Sequence, residues 1–253
     1  MPLSPLLVPL LASLVLSYRA SPTTVYVAAD SRLTSPASQG VTPPPVDTAC
    51  KIRVLKGGVV FVGTGNALFS ADGVETNIYA LAAHAAAALP SRPLEDADIR
   101  DIALVWQNLI HGRLQEKLQA GPQNTANTSK VAATAGTTGS FYAATASGDV
   151  FAITLRVALD DQGLLRDTEE PQPQPGFLVA TGTNIAKQDA LELATSSQNV
   201  MLPWPRRLQA IELQTIREEA QRYGRGSDIG GRVDMIQITS KGPAWILRKA
   251  NCR

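Results

Sequence analysis

At 253 residues, with 44% hydrophobic and 18% charged side chains, the chain has the makeup of a globular protein able to bury one sizeable core, which excludes wholesale disorder. Lys and Arg total 23 against 22 Asp and Glu, so there is no basic footprint for nucleic acid or anionic lipid. Two cysteines exclude a disulfide framework and any multi-cysteine zinc site.

In chain order, Met1 to Leu16 is uncharged and dominated by Leu, Pro, Val, Ala and Ser. It resembles the apolar centre of an export signal, although it lacks a basic start and carries Pro2, Pro5 and Pro9. It is too short and too interrupted by proline for a membrane span. The expectation is a leader over residues 1–12, a single domain over 13–253 and export to the periplasm or beyond, with the cytoplasm as the alternative.

Leu14, Leu16 and Tyr18 alternate with smaller residues, a strand pattern, and Thr24 to Arg32 is a second strand rich in β-branched and aromatic residues. The turn signal Ala20-Ser21-Pro22-Thr23 between them predicts a hairpin. Leu33 to Val46 reads as a loop. A strand pair follows, Lys51 to Leu55 and Val59 to Val62, around Gly57-Gly58. Gly63-Thr64-Gly65-Asn66-Ala67 then leads into an alanine-rich helix expected over Ala71 to Leu89, ending before Pro90.

The next helix is expected from Leu94 to Gln119, with Ile99, Ile102, Val105, Trp106, Leu109, Ile110 and Leu114 on one stripe. Gly121 to Gly139 reads as a loop of low complexity. Ser140 to Ala146 and Val150 to Ala158 are strands joined by Ser147-Gly148-Asp149. After a Pro/Gln loop come a strand at Phe177 to Thr181, helices at Ile185 to Ser196 and Pro205 to Tyr223, and strands at Val233 to Thr239 and Ala244 to Leu247. Hairpin strands in blocks, with helices in pairs, argue for an antiparallel α+β layered fold.

Several features have ordinary readings. His84 and His111 sit inside helical patterns without a ligand-spaced partner. Gly63-Thr64-Gly65 lacks the remainder of a phosphate loop. Asn127-Thr128-Ser129 fits a glycosylation sequon and equally fits loop composition. Cys50 and Cys252 read as unrelated thiols in a reducing compartment and as a pair in an oxidising one.

Six segments, taken together, carry a resemblance. TVYVAADSRLT (24–34), ACKIRVL (49–55), GGVVFVGTGNA (57–67), ATGTN (180–184) and IGGRVDMIQIT (229–239) with KGPAWIL (241–247) resemble, in order, the strands and turns of proteasome β subunits. The chain is accordingly identified as similar to the Ntn-hydrolase superfamily. The resemblance implies an α+β four-layer αββα sandwich and an amide-bond hydrolase whose nucleophile is the side chain of the first residue after processing, with the α-amine as its base. It implies a peptide or small amide substrate, a possible homo-oligomeric ring, and no metal or organic cofactor.

By the same resemblance Lys51 matches the lysine that lowers the nucleophile's pKa, Asp30 its carboxylate partner and Arg32 the arginine that follows. Gly63 falls, within a residue, at the oxyanion-hole glycine, and Thr183 at an accessory serine. Ahead of Gly230, Gly226 and Ile229 stand where the family has an aspartate and a serine, with Ser227 and Asp228 as neighbouring substitutes. Counting back from Asp30 gives Leu14 at the nucleophile position; Ser13, one residue earlier and after Ala12, is the expected nucleophile. The alternative is a catalytically silent assembly subunit or binding module.

Overall fold

A computed structural model describes residues 13–32, 45–65, 68–71, 74–119, 136–160, 164–171, 173–224, 227, 229–250 and 252. The fold is α+β. Two antiparallel five-stranded sheets carry the molecule. Strands β1 (Leu14–Ser21) and β2 (Thr24–Ala29) form the expected hairpin, extended on one side by β10 (Leu178–Gly182) and on the other by β11 (Asp234–Thr239) and β12 (Gly242–Leu247). The second sheet runs β3 (Ile52–Val54), β4 (Val60–Gly65), β7 (Thr137–Ala144), β8 (Val150–Leu159), β9 (Leu165–Glu170).

Alternation along these strands separates three apolar clusters, because successive side chains leave opposite faces of a sheet. Val15, Val25, Val27 and Ala29 of the first sheet meet Ile52, Val60, Val62 and Ala152 of the second. Their neighbours Leu14, Leu16 and Ala28 face the other way, onto α3 (Asn184–Thr195) and α5 (Arg206–Tyr223), through Ala186, Ala190, Leu208 and Ile211. On the second sheet Phe61, Phe141, Ile153 and Leu155 pack under α1 (Ile78–Ala86) and α2 (Asp96–Gln119). A short helix, α4 (Ser197–Val200), joins α3 to α5.

Local chemistry sets the helix starts. The Asn77 side chain accepts from the Tyr79 and Ala80 N–H groups at the head of α1, and Thr183 Oγ1 accepts from Ala186 N at the head of α3. Asp96 and Asp98 lie in the first turn of α2, where a carboxylate complements the helix dipole. Trp106 of α2 is fully buried, donates Nε1–H to the Ile78 carbonyl at 3.1 Å and lies flat over Gly139 of β7.

Three expectations need correction, and one strand was missed. The helix predicted over Ala71 to Leu89 begins at Ile78; Leu68–Ala71 and Val74–Asn77 instead pair as an antiparallel hairpin, β5 and β6. Asp72-Gly73 between them is a hairpin-turn signal that outweighs the alanine pattern downstream. Within the loop predicted over Gly121 to Gly139, residues 137–139 belong to β7, while 121–135 lie outside the described residues. Strand β9 had no apolar alternation to reveal it: its LRDTEE sequence holds the sheet edge with exposed charged side chains. Val105, placed on the apolar stripe of α2, is exposed, and Ala103 takes the buried position. Among the described residues no helix is long and apolar enough to cross a membrane.

Candidate active site at the Asp30–Lys51 pair

The hairpin register puts Val15 opposite Ala29, so one step further Leu14 and Asp30 meet at the sheet end. Asp30 N–H donates to the Leu14 carbonyl at 3.2 Å, and the Leu14 N–H donates back to Asp30 Oδ1 at 2.9 Å. Lys51 arrives from the second sheet, directly ahead of β3, and its Nζ donates to the same oxygen at 2.6 Å. Asp30 is 0% and Lys51 1% exposed, so the ion pair bridges the two sheets inside the core. Asp30 Oδ2 accepts from Gly230 N at 3.0 Å and from Arg32 N at 3.1 Å. Four N–H donors therefore converge on one carboxylate. Burial pushes the Lys51 ammonium down from its ordinary pKa, while Asp30 and then Glu212 pull it back up.

Arg32 anchors the flank. Its Nε and Nη2 hold both oxygens of Asp47, at 2.6 and 2.8 Å, and Nη1 donates to the Ser227 carbonyl at 3.1 Å. The guanidinium holds the Asp47 carboxyl below the usual carboxylate range. The same side chain explains Gly230, where an added Cβ would stand 2.7 Å from the guanidinium carbon. Gly231 has φ +74° and a Cβ there would lie 2.3 Å from Ser31 Oγ. The Gly-Gly pair is thus required for the approach of β2's end to the segment that leads into β11.

A second buried ion pair lies close by. Lys249 Nζ contacts Asp234 Oδ2 at 2.5 Å and donates to the Ala49 carbonyl at 2.8 Å. Between the two lysines, Cys50 and Cys252 form a disulfide with a Cα separation of 5.4 Å, tying the residue before Lys51 to the end of the chain. Of the two readings left open for these cysteines, the structure has the paired one.

The remaining expected residues are placed as follows. Ser13 is buried at the foot of β1, and its carbonyl crowds Gly182, the last residue of β10 and partner of Leu14. The residue whose main chain touches Asp30 is Leu14, and its side chain points toward α3 and α5. Thr183, next to Gly182, caps α3 and so lies beside Ser13 along the strand pair. Gly63 sits within β4, where a Cβ would meet Ile78 Cδ1 at 2.5 Å, and its carbonyl accepts from Tyr79 Oη at 3.3 Å. Its main chain pairs with Gly139 of β7, and its open face meets α1. Ser227 is buried and donates Oγ–H to the Ile229 carbonyl at 2.8 Å. Asp228 lies outside the described residues.

One buried acid was missed. Glu212 of α5 is 0% exposed, and neither carboxyl oxygen has a hydrogen-bond partner among the described residues. Burial first, and the Asp30 charge second, raise its pKa well above the ordinary glutamate value, with Lys51 opposing. A sequence signal existed: on α5, Leu208, Ile211 and Thr215 define a buried stripe, and Glu212 falls inside it. Asp47, Asp234 and Lys249 had no pattern of this kind, since each is defined by a partner distant in sequence. Among the described residues no group of three or more His, Cys, Asp or Glu is placed to hold a metal ion. No protein-family model and no curated protein matches the chain.

Proposed function

We propose that the chain is an amide-bond hydrolase of the N-terminal-nucleophile type, built as a four-layer αββα sandwich of the proteasome-subunit kind. The observation that carries this reading is the Lys51–Asp30 pair, sealed in the core with the Leu14 N–H on the same carboxylate oxygen. A buried ion pair returns no more stability than well-packed apolar side chains of similar volume, so stability does not account for it. Ionisable groups held this way, with a strongly perturbed neighbour, gather where charge must be controlled during chemistry.

Hydrolysis of the Ala12–Ser13 peptide bond leaves Ser13 with a free α-amine. Its hydroxyl oxygen attacks the substrate carbonyl carbon while the α-amine takes the hydroxyl proton. The Lys51 ammonium stabilises the charge that develops on oxygen, and Asp30 fixes the ammonium in place. Collapse breaks the carbon–nitrogen bond, the leaving amine takes the proton back, and water releases the acyl group from Ser13. Ser13 and Lys51 are buried in the uncut chain, which fits a site opened by processing. The substrate is a peptide or small amide; assembly into a homo-oligomeric ring is part of the same proposal. An oxidising, exported setting is supported by the Cys50–Cys252 bridge.

A fluorophosphonate probe tests the reading. The processed chain is expected to be labelled at Ser13, with no labelling of Ser13→Ala and a rate ~10²-fold lower or less for Lys51→Ala, the scale of losing one group aimed at a developing oxyanion. Undiminished labelling of Ser13→Ala sinks it. A second reading, a non-catalytic assembly subunit, is favoured by one observation: Leu14, with its side chain buried, holds the position against Asp30. In that case no labelling occurs at Ser13 in any form of the chain.

A further inference from the structure

Helix α5 packs on β1 and β2 from the face opposite the sheet-to-sheet core, and its Glu212 feels the charges of Asp30 and Lys51. An acid inside an apolar helix face is a costly placement unless a partner compensates it. Among the described residues, both oxygens lack a hydrogen-bond partner. The Asp30 N–H lies close enough to favour the ionised form slightly, yet it is already committed to the Leu14 carbonyl at 3.2 Å. The positions one turn away on α5 are Leu208, Gln209, Thr215 and Ile216, none of them charged.

Asp30 at the end of β2 and Lys51 ahead of β3 act on Glu212 directly. Lys249 acts on Lys51 and is itself paired with Asp234. From α3, Asp189 is held by Arg222 at 2.8 Å, Glu192 is exposed, and Lys187 lies nearer the helix start. The short α4, Ser197–Val200, has no charged residue. β1 has only Arg19, at the far end of the strand, bonded to the Val150 carbonyl. Glu219, two turns along α5, lies against Arg222. The cluster that matters is therefore three groups: one lysine and two acids.

We propose that Glu212 is a positioning residue that sets the charge of the Lys51 site, neutral overall while the acid keeps its proton and carrying one extra negative charge once that proton is lost to solvent. Burial and the Asp30 charge raise its proton affinity well above the ordinary glutamate value, so the acid form persists above the pH at which an exposed glutamate ionises. In that form Lys51 and Asp30 balance, and the ammonium is free to stabilise a new negative charge beside it. Ionised Glu212 adds a second anion, which opposes the build-up of negative charge on the attacking oxygen. The acid thus defines an alkaline limit for the site.

The electrostatic part of this proposal is independent of catalysis; only its kinetic arm rests on the hydrolase reading. In the full chain with isotope-labelled lysine, with the Lys51 resonance identified through Lys51→Arg, a pH titration is expected to show an extra inflection from Glu212 ionising beside Lys51. That inflection is lost in Glu212→Gln. Superimposable Lys51 curves in the two proteins overturn the proposal. Infrared spectra of the unmutated chain, followed upward in pH from the ordinary glutamate range, give a check that needs no variant: a carboxylic-acid carbonyl band that outlasts the exposed glutamates is expected, and its absence overturns the proposal. Where the fluorophosphonate labels Ser13, the labelling rate is expected to fall on the alkaline side and to hold to higher pH in Glu212→Gln. An unshifted rate profile overturns the positioning role, whereas absent labelling with the Lys51 inflection present contradicts only the hydrolase reading.

Discussion

Asp30 ties several segments together: Leu14, Arg32, Lys51 and Gly230 all donate to it. Replacing it by alanine leaves a buried ammonium without a counter-charge and three backbone N–H groups without an acceptor. The expected loss is ~3–5 kcal/mol or more, the scale for breaking one side of a buried ion pair. Chemical denaturation of Asp30→Ala checks this, and a loss under about 1 kcal/mol, the scale of an exposed pair, would mean that the carboxylate is not buried as described. Glu212 makes a prediction of opposite sign. Its folded-state pKa is raised well above the ordinary glutamate value, so its contribution is fully present below that ordinary value and is lost as pH rises toward the folded one. Glu212→Gln removes this dependence, and its stability relative to the unmutated chain is expected to improve as pH rises from the ordinary glutamate range to neutrality. A stability difference that stays flat over that window contradicts the assigned protonation.

At the scale of elements, one close approach decides how sheet and helix lie together. The Trp106 ring of α2 stands 2.5 Å from where a Cβ would be on Gly139, so α2 reaches β7 only over a glycine. Gly139→Ala is expected to cost ~1–3 kcal/mol through overpacking, read as a shift of the denaturation midpoint without a change in slope. Elements with a clear period were legible in the sequence: the β1–β2 hairpin, α2, α5, β8 and β11 lie where alternation or a stripe put them. Elements held by context were not. β9 has an edge strand's charged composition, and β5–β6 was overshadowed by the alanine run that follows. The site divides on the same line. Asp30, Arg32 and Lys51 were singled out through the resemblance carried by the segments around them, whereas Glu212 shows in the sequence only as an acid on a buried stripe and meets the pair once α5 is laid across β1 and β2.

For the molecule as a whole, the Cys50–Cys252 bridge closes a loop between residues 202 positions apart, next to both buried ion pairs. A crosslink of that span constrains the unfolded chain strongly, and its reduction is expected to cost ~2–5 kcal/mol. Thermal unfolding with and without reductant checks this, with thiol counting to establish the redox state; equal midpoints for the bridged and reduced protein would contradict it. The bridge also fixes the backbone directly before Lys51, so the first sheet, the second sheet and the chain end meet at one place.

That convergence is what the functional account rests on, and its central claim is that Ser13 becomes a free N-terminus beside Lys51. Intact-mass measurement with N-terminal sequencing, on protein recovered from its native compartment, tests this most directly. A mature chain beginning at Ser13 is the predicted result. A chain that retains Met1, or that begins at Ser21 and so lacks β1, would contradict the account and leave the buried pair in a subunit without a nucleophile.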